Sequence, residues 1–338
     1  MRVNTMKAVV MSAFGEPDVL KPVEIPVPEP PSPSHLRVRL HAAGINPIDT
    51  KLRRNGTYYP DLPSPVLGCD GAGTVDAVGR GVTRFRPGDE VYFFQGGIGR
   101  DQGTYAQYVT VHEAYAAAKP AKLSFIDAAA LPLALITAWE SLYDRAALNA
   151  GQCVLIHAGA GGVGHVAVQL ACNGGARVAT TVSGADKASF VRSLGAERVI
   201  DYKNEDFVEA ALGWSDGEGV DLSLDTVGGA TFCRSFAATR VYGQIVTLLQ
   251  SSCDADALKI ARLRNQSISY ELMLAPQLLE MHEARCAQCR ILERGAELIE
   301  EGKLSVKVSK VLPLAQAAEA HRLIEGGHTT GKIVLGIE

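Results

Sequence analysis

The stretch "CVLIHAGAGGVGHVAVQLA", Cys153 to Ala171, limits what this chain can fold into more than any other. "CVLI" is a short apolar run of the kind buried in a parallel sheet. From Val163 the apolar positions recur at Val163, Ala167 and Leu170, which is helical spacing. Between strand and helix lie Gly159, Gly161 and Gly164 in the pattern G-x-G-x-x-G. The first glycine permits a tight turn, the second lets a pyrophosphate approach the backbone, and the third lets the helix pack closely on the strand. The N–H groups at the helix start, with the helix dipole, favour an anion there. A glycine triplet in a plain loop would say little. Here the strand before it and the helix after it supply the context the motif requires. Gly159, Gly161, Gly162, Val163 and Gly164 are therefore candidate dinucleotide-binding residues.

The rest of the chain extends this pattern. A length of 338 residues suits two domains better than one. After the glycine turn, strand and helix alternate: "ARVATTV", then "ADKASFVRSLGA" as a helix ending at Gly195, then the strands "RVIDY", "VDLSLDTVGG" and "GQIVTLL". Such alternation predicts a doubly wound parallel sheet over residues 129–267. Residues 1–128 read differently. Short strands are broken by Pro and Gly, and Leu36, Val38 and Leu40 alternate with Arg37, Arg39 and His41, which predicts an irregular β-barrel. Residues 268–338 hold an amphipathic helix, "KVSKVLPL", another helix and the strand "GKIVLGI". They are too few to stand alone and are expected to complete the first domain.

Charge and composition exclude several classes. The net charge is −4, from 33 basic and 37 acidic residues, with no basic block to suit nucleic acid. No apolar run reaches the ~18 residues that would span a bilayer. The opening "MRVNTMKAVVM" enters a strand almost at once, with Met6 as an alternative start, and shows no charged-then-apolar leader. A cytoplasmic protein is expected, and its seven cysteines are expected to be reduced thiols, mostly buried.

Several segments together resemble the medium-chain dehydrogenase/reductase superfamily. They are "AGINPIDTKLR" (43–53), "LGCDGAGTVDAVGRGVTRFRPGDEV" (67–91), "GTYAQY" (103–108), "AALPLALITAWESL" (129–142), "AGAGGVGHVAVQLA" (158–171), "LDTVGG" (224–229) and "GKIVL" (331–335). Within the superfamily the chain is most similar to the zinc-free quinone oxidoreductase, or zeta-crystallin-like, branch. The resemblance implies a GroES-like catalytic domain, a Rossmann domain, a nicotinamide cofactor and a homodimer formed through the edge of the coenzyme-domain sheet. It also implies that Thr137 packs against the nicotinamide, and that Val227, Leu248 and Leu249 frame its ribose and carboxamide.

Alcohol-oxidising members of the superfamily hold zinc with a Cys, a His and a second Cys. The matching positions here are Asn46, Cys69 and Leu133, and one thiol cannot hold the ion alone. The loop that carries four cysteines in such members, residues 93–107, has none. Elsewhere, His282, Cys286 and Cys289 share one helical face, but the pattern lacks a fourth ligand and reads as an ordinary helix surface. No metal is expected.

The cofactor is expected to be NADPH rather than NADH. NAD-specific folds carry an acid about 20 residues past the glycine loop, at the tip of the second strand. Here Val182 is followed by Ser183 and Gly184, and Asp186 enters the next helix. Ser183 can donate to a 2′-phosphate, Lys187 can supply charge, and Tyr202 matches a family tyrosine near that phosphate. Without a metal to generate an alkoxide, the site suits an already electrophilic substrate, a quinone or an α,β-unsaturated carbonyl. Candidate catalytic residues are Asn46 as amide donor, Asp49 as an orienting or loop-fixing carboxylate, Tyr58, which matches a substrate-facing tyrosine, and Lys51. Lys51 stands where many members have tyrosine. It either donates to a developing enolate or points to solvent. The alternative to a reductase is an NADPH-binding structural or regulatory protein with little turnover.

Overall fold

The structure is a computed structural model that describes residues 4–29, 32–59, 61, 65–250 and 252–338. The chain divides into two compact units. One comprises Met1–Leu133, Ala275–Gly302 and Val306–Glu338, the other Ala134–Leu274 and Lys303–Ser305.

The first unit opens with β1 (Thr5–Met11) paired antiparallel to β2 (Leu20–Pro26). β3 (His35–Ile45) follows, then α1 (Pro47–Asn55), β4 (Asp70–Val78), β5 (Glu90–Phe94), β6 (Tyr108–His112), β7 (Ala116–Ala118) and α2 (Phe125–Ala129). Leu36, Val38 and Leu40 of β3 are buried while Arg39 is exposed, as period-two alternation requires of a sheet with one face on a core. α3 (Pro132–Trp139) carries the chain into the second unit.

There β8 (Cys153–Ile156), α4 (Gly164–Asn173), β9 (Arg177–Val182), α5 (Ala185–Ser193), β10 (Arg198–Asp201), α6 (Phe207–Trp214), β11 (Val220–Asp225), α7 (Gly229–Ala238), β12 (Thr239–Thr247), α8 (Ala255–Leu263) and β13 (Ser267–Tyr270) alternate without a break. The six strands are all parallel, in the order β10-β9-β8-β11-β12-β13. The order reverses direction between β8 and β11, and the carboxyl end of a parallel sheet at such a reversal is where a crevice opens. Leu155, Ala179, Ile200, Phe207, Ala211, Val220 and Ala238 pack the core under one set of helices. Phe232, Phe236, Ile245 and Ala261 form a second cluster.

The chain then returns through α9 (Ala275–Leu278), α10 (His282–Glu300), β14 (Val308–Pro313), α11 (Ala317–Glu325) and β15 (Lys332–Gly336). β15 pairs antiparallel with β3, completing a seven-stranded sheet of order β14-β15-β3-β4-β5-β7 with β6 on β3. The fold is thus a GroES-like unit plus a Rossmann unit.

Two expectations need correction. The parallel unit does not end at residue 267, because β13 adds a sixth strand and the unit runs on to Leu274. "SISY" is a short strand at the sheet edge with little burial, so its apolar pattern is faint. Nor are all seven cysteines reduced: Cys233 and Cys253 form a disulfide. α7 and the start of α8 pack against one another and bring these residues, 20 apart in sequence, to a Cα separation of 5.5 Å. The intervening β12 hid that proximity. Among the described residues no helix is long and apolar enough to cross a membrane.

Candidate active site

β3 ends at Ile45, and Pro47 starts α1, so Asn46 sits at the junction in extended backbone. Its N–H donates to Asp49 Oδ2 at 2.8 Å, which fixes the first turn. β3 and β4 are paired with Gly44 opposite Asp70, which brings Asp70 beside Asn46. A Cβ at Gly44 would lie 2.2 Å from Ala129 O, so only glycine allows this approach. Asn46 Nδ2 donates to Asp70 Oδ2 at 2.9 Å, and the Leu133 N–H donates to Asp70 Oδ1 at 2.9 Å. Lys332, the first residue of β15, donates through Nζ to Asn46 Oδ1 and stands 3.6 Å from Asp70 Oδ2. Tyr105 OH donates to Asp49 Oδ2 at 3.0 Å and lies 3.1 Å from His321 Nε2. Cys69 Sγ is 3.9 Å from Asp49 Oδ1.

All seven side chains are buried. Burial drives the carboxyl of Asp49 up to about 7, against the pull of the Asn46 N–H and the Tyr105 hydroxyl. Burial also raises Asp70, opposed first by Lys332. The Cys69 thiol is pushed well above its usual range by burial and then by the two carboxylates, so it is no thiolate nucleophile. His321 falls to about 3 by burial and the nearby Arg53 guanidinium. Its Nδ1 has no hydrogen-bond partner among the described residues. With Tyr105 donating to Asp49, the His321 proton belongs on Nε2, donated to the tyrosine oxygen.

Of the four expected catalytic residues, Asn46 and Asp49 are brought together in this network. Lys51 is exposed on α1, and Tyr58 is 47% exposed, with its N–H donating to Ile98 O at 3.1 Å. The sequence reading missed Tyr105, His321 and Lys332. Lys332 alone carried a signal, as a lysine opening an otherwise apolar strand.

In the second unit the expected cofactor residues, Thr137 on α3 apart, follow or lie near the carboxyl ends of the strands. After β8, Ala158 adopts φ +52°, and its N–H is held by Thr181 Oγ1 at 2.9 Å. A Cβ at Gly159 would lie 2.0 Å from Thr180 Oγ1, and one at Gly164 would lie 2.2 Å from Ala158 O. Gly161 differs: its Cβ would meet only Ala158 O, at 3.1 Å. Two glycines therefore serve packing, while the middle one leaves its surface open to a ligand. Gly162 and Val163 complete the turn into α4. Ser183 follows β9, and Lys187 Nζ donates to its Oγ at 3.4 Å. Tyr202, exposed after β10, donates its N–H to Val182 O at 3.2 Å, which keeps it next to Ser183. Asp186 is exposed in the first turn of α5. Val227 follows β11 and is exposed. Leu248 and Leu249 follow β12, with the Leu248 N–H on Asp225 O at 3.1 Å. Thr137 is buried on α3.

On α10, Cys286 Sγ is 3.6 Å from His282 Nε2, while Cys289 donates to Ala116 O at 3.2 Å. Among the described residues no group of three or more His, Cys, Asp or Glu is arranged to hold a metal ion.

An alcohol dehydrogenase GroES-like domain model matches residues 32–121, and a zinc-binding dehydrogenase model matches residues 194–335. A quinone oxidoreductase of Pseudomonas aeruginosa is 32% identical over 329 residues, 97% of this chain and 99% of that one. A solved structure described as an NAD-dependent alcohol dehydrogenase is 37% identical with a TM-score of 0.89, covering 98% of this chain and all of that one. The Escherichia coli quinone oxidoreductase complexed with NADPH is 30% identical with a TM-score of 0.85, covering 98% and 100%.

Zinc, named in one of these descriptions, does not fit the donors found here. A zinc site needs thiolate, imidazole or carboxylate lone pairs converging on one point. Asn46 turns its amide oxygen to Lys332 and an N–H to Asp70. Cys69 is a single thiol, turned toward Asp49 Oδ1, and Leu133 offers only a backbone N–H that Asp70 accepts. The glycine turn, by contrast, fits a dinucleotide: a helix start with one glycine face left open.

Proposed function

Because this chain belongs to the medium-chain dehydrogenase/reductase superfamily, in its quinone oxidoreductase branch, we propose that it is a metal-independent, NADPH-dependent reductase of quinones or α,β-unsaturated carbonyl compounds. The observation that carries the reading is the hydrogen-bonded state of Asn46. Its amide is fixed at both ends, by Lys332 and Asp70, so one N–H is committed and the other has a defined direction. A rigid neutral donor suits a conjugated oxygen that gains negative charge. It does nothing to acidify an alcohol, whose pKa near ~16 calls for a Lewis acid or a strong base.

Gly159, Gly161, Gly162, Val163 and Gly164 would hold the pyrophosphate, and Thr137, Val227, Leu248 and Leu249 the nicotinamide end. When bound, the cofactor supplies the hydride. Ser183 and Tyr202 directly follow β9 and β10 and Lys187 reaches Ser183 Oγ, so these residues would read a 2′-phosphate, and no acid stands at the tip of β9 to repel it. The exposed edge strand β13, with Ile268 and Tyr270 outward and Leu272, Val241 and Tyr242 nearby in sequence or sheet, supports a homodimer through that edge.

The test is NADPH consumption, followed by absorbance, across a panel of quinones and enones, with ethanol and propanol plus NADP⁺ as the opposing arm. We expect turnover of at least one conjugated carbonyl and negligible alcohol oxidation, both unchanged by strong chelator. Alcohol oxidation with no NADPH consumption overturns the reading. Tight NADPH binding with no turnover in either arm favours a binding protein.

A further inference from the structure

Lys332 is placed by backbone geometry. Ile333 lies opposite Ile45 across the β15–β3 pairing, which sets Lys332 opposite Asn46. Gly331 precedes it at φ +68°, where a Cβ would lie 2.1 Å from Lys307 O, and the Lys332 N–H donates to that same oxygen at 2.8 Å. The side chain then has one direction to run, inward, and it ends 4% exposed between Asn46 Oδ1 and Asp70 Oδ2.

Chemistry decides the orientation of the amide. An ammonium only donates and a carboxylate only accepts, so Asn46 must show oxygen to Lys332 and nitrogen to Asp70. Either neighbour alone would favour this orientation, and together they fix it. Charge points the same way. The ionisable groups facing this pocket are Asp49 from α1, Cys69 and Asp70 at the start of β4, Tyr105 before β6, His321 from α11 and Lys332 from β15. Thiol, phenol and imidazole are all pushed toward their neutral forms. Two buried carboxyls therefore face one cation, and a buried carboxylate without a countercharge is costly.

We propose that Lys332 is the resident cation of this site, a positioning residue whose ammonium balances Asp70 and locks the Asn46 amide with an N–H available to the substrate oxygen. The chain thus supplies from its last strand a positive charge at a place where its donors do not fit a metal. The countercharge role stands on the structure alone. The positioning role rests on the reductase reading above.

Two measurements on the full chain separate these roles. In thermal unfolding without substrate, Lys332→Met should lower Tm by roughly 10 °C, because Asp70 is left buried without its cation. Adding Asp70→Asn to Lys332→Met should restore most of that loss, including folding itself if the single variant does not fold. A double variant no more stable than Lys332→Met overturns the countercharge role. In turnover, Lys332→Met should lower kcat roughly tenfold to a hundredfold with KM changed much less, and Asn46→Ala in that background should lower kcat no further. If the two losses multiply, Lys332 does not act through Asn46 and the positioning role falls. If wild type reduces no quinone or enone, the reductase reading and the positioning role fall, while the unfolding experiment still decides the countercharge.

Discussion

In the GroES-like unit, the polar network of the candidate site is built mainly from buried side chains that hold one another. Asn46, Asp49, Asp70, Tyr105 and Lys332 are linked to one another by hydrogen bonds. In the Rossmann unit the opposite holds. The cradle is backbone, shaped by glycines, and its candidate side chains Ser183, Lys187 and Tyr202 are half-buried or exposed. A side-chain network is costly to disturb because each deletion strands a buried partner. A backbone cradle is indifferent to most side chains but intolerant of any Cβ where chain meets chain. The two regions should therefore fail in different ways.

The largest effect is expected where backbone meets backbone. Gly164→Ala sets a methyl group 2.2 Å from Ala158 O and 2.8 Å from Gly159 Cα, and neither can move without opening the turn. We expect destabilisation of about 3 kcal/mol or more and loss of NADPH binding. Gly161→Ala meets only Ala158 O, at 3.1 Å. It should leave Tm within a few degrees while still weakening NADPH in calorimetric titration. If the two variants lose stability equally, the division into packing and ligand-facing glycines is wrong.

That contrast also explains what the sequence made legible. The cradle depends on local spacing, so strand, glycines and helix are all contained in nineteen consecutive residues, Cys153–Ala171. Ser183 and Tyr202 follow their strands directly, and pattern reading finds strand ends. The buried network is assembled from the ends of β3, β4 and β15, the segment before β6, and α11. Asn46 and Asp49 were legible through the family resemblance, Asn46 at a position matching a zinc ligand and Asp49 in the same short segment. Tyr105 and His321 were not, because no local rule tells a buried polar residue from an exposed one, and Lys332 showed only as a lysine opening an apolar strand, with no sign of its partner. Only the β15–β3 register carries Lys332 to Asn46, and sequence spacing does not encode register between strands 286 residues apart.

The network should reveal itself through pH. Asp49 has an ordinary value of 3.8 and stands at about 7 in the folded chain. The native state then binds more protons than the unfolded state between those limits. The associated stability is full at low pH and is lost as pH rises toward and through about 7. His157 and His321 act in the other direction, since burial lowers them to about 4 and about 3 and their stability is lost as pH falls. The difference between wild type and Asp49→Asn isolates the carboxyl. From pH 4 to pH 8, the variant should gain on wild type by on the order of 2–4 kcal/mol in denaturant unfolding. A difference that stays flat across that range would mean that Asp49 is not an acid held near neutrality.

The smallest effect tests the exposed side of the comparison. Lys187 lies in α5, and its ammonium reaches Ser183 Oγ at 3.4 Å, over the end of β9. Nothing in the folding of the unit needs that contact, since a polar contact this long and close to solvent is worth little. Lys187→Ala should therefore leave Tm within about 2 °C. What it removes is a charge at the place where a 2′-phosphate would lie. A charge-assisted contact to phosphate contributes about 1.5–3 kcal/mol, so NADPH should bind roughly ten- to a hundredfold more weakly. NADH lacks that phosphate and should bind as it does to wild type. The ratio of the two dissociation constants, measured by fluorescence titration, is the readout. Equal weakening of both cofactors would show that Lys187 does not read the phosphate. It would also remove the one charged side chain in the argument for NADPH, leaving Ser183, Tyr202 and the missing acid at the tip of β9.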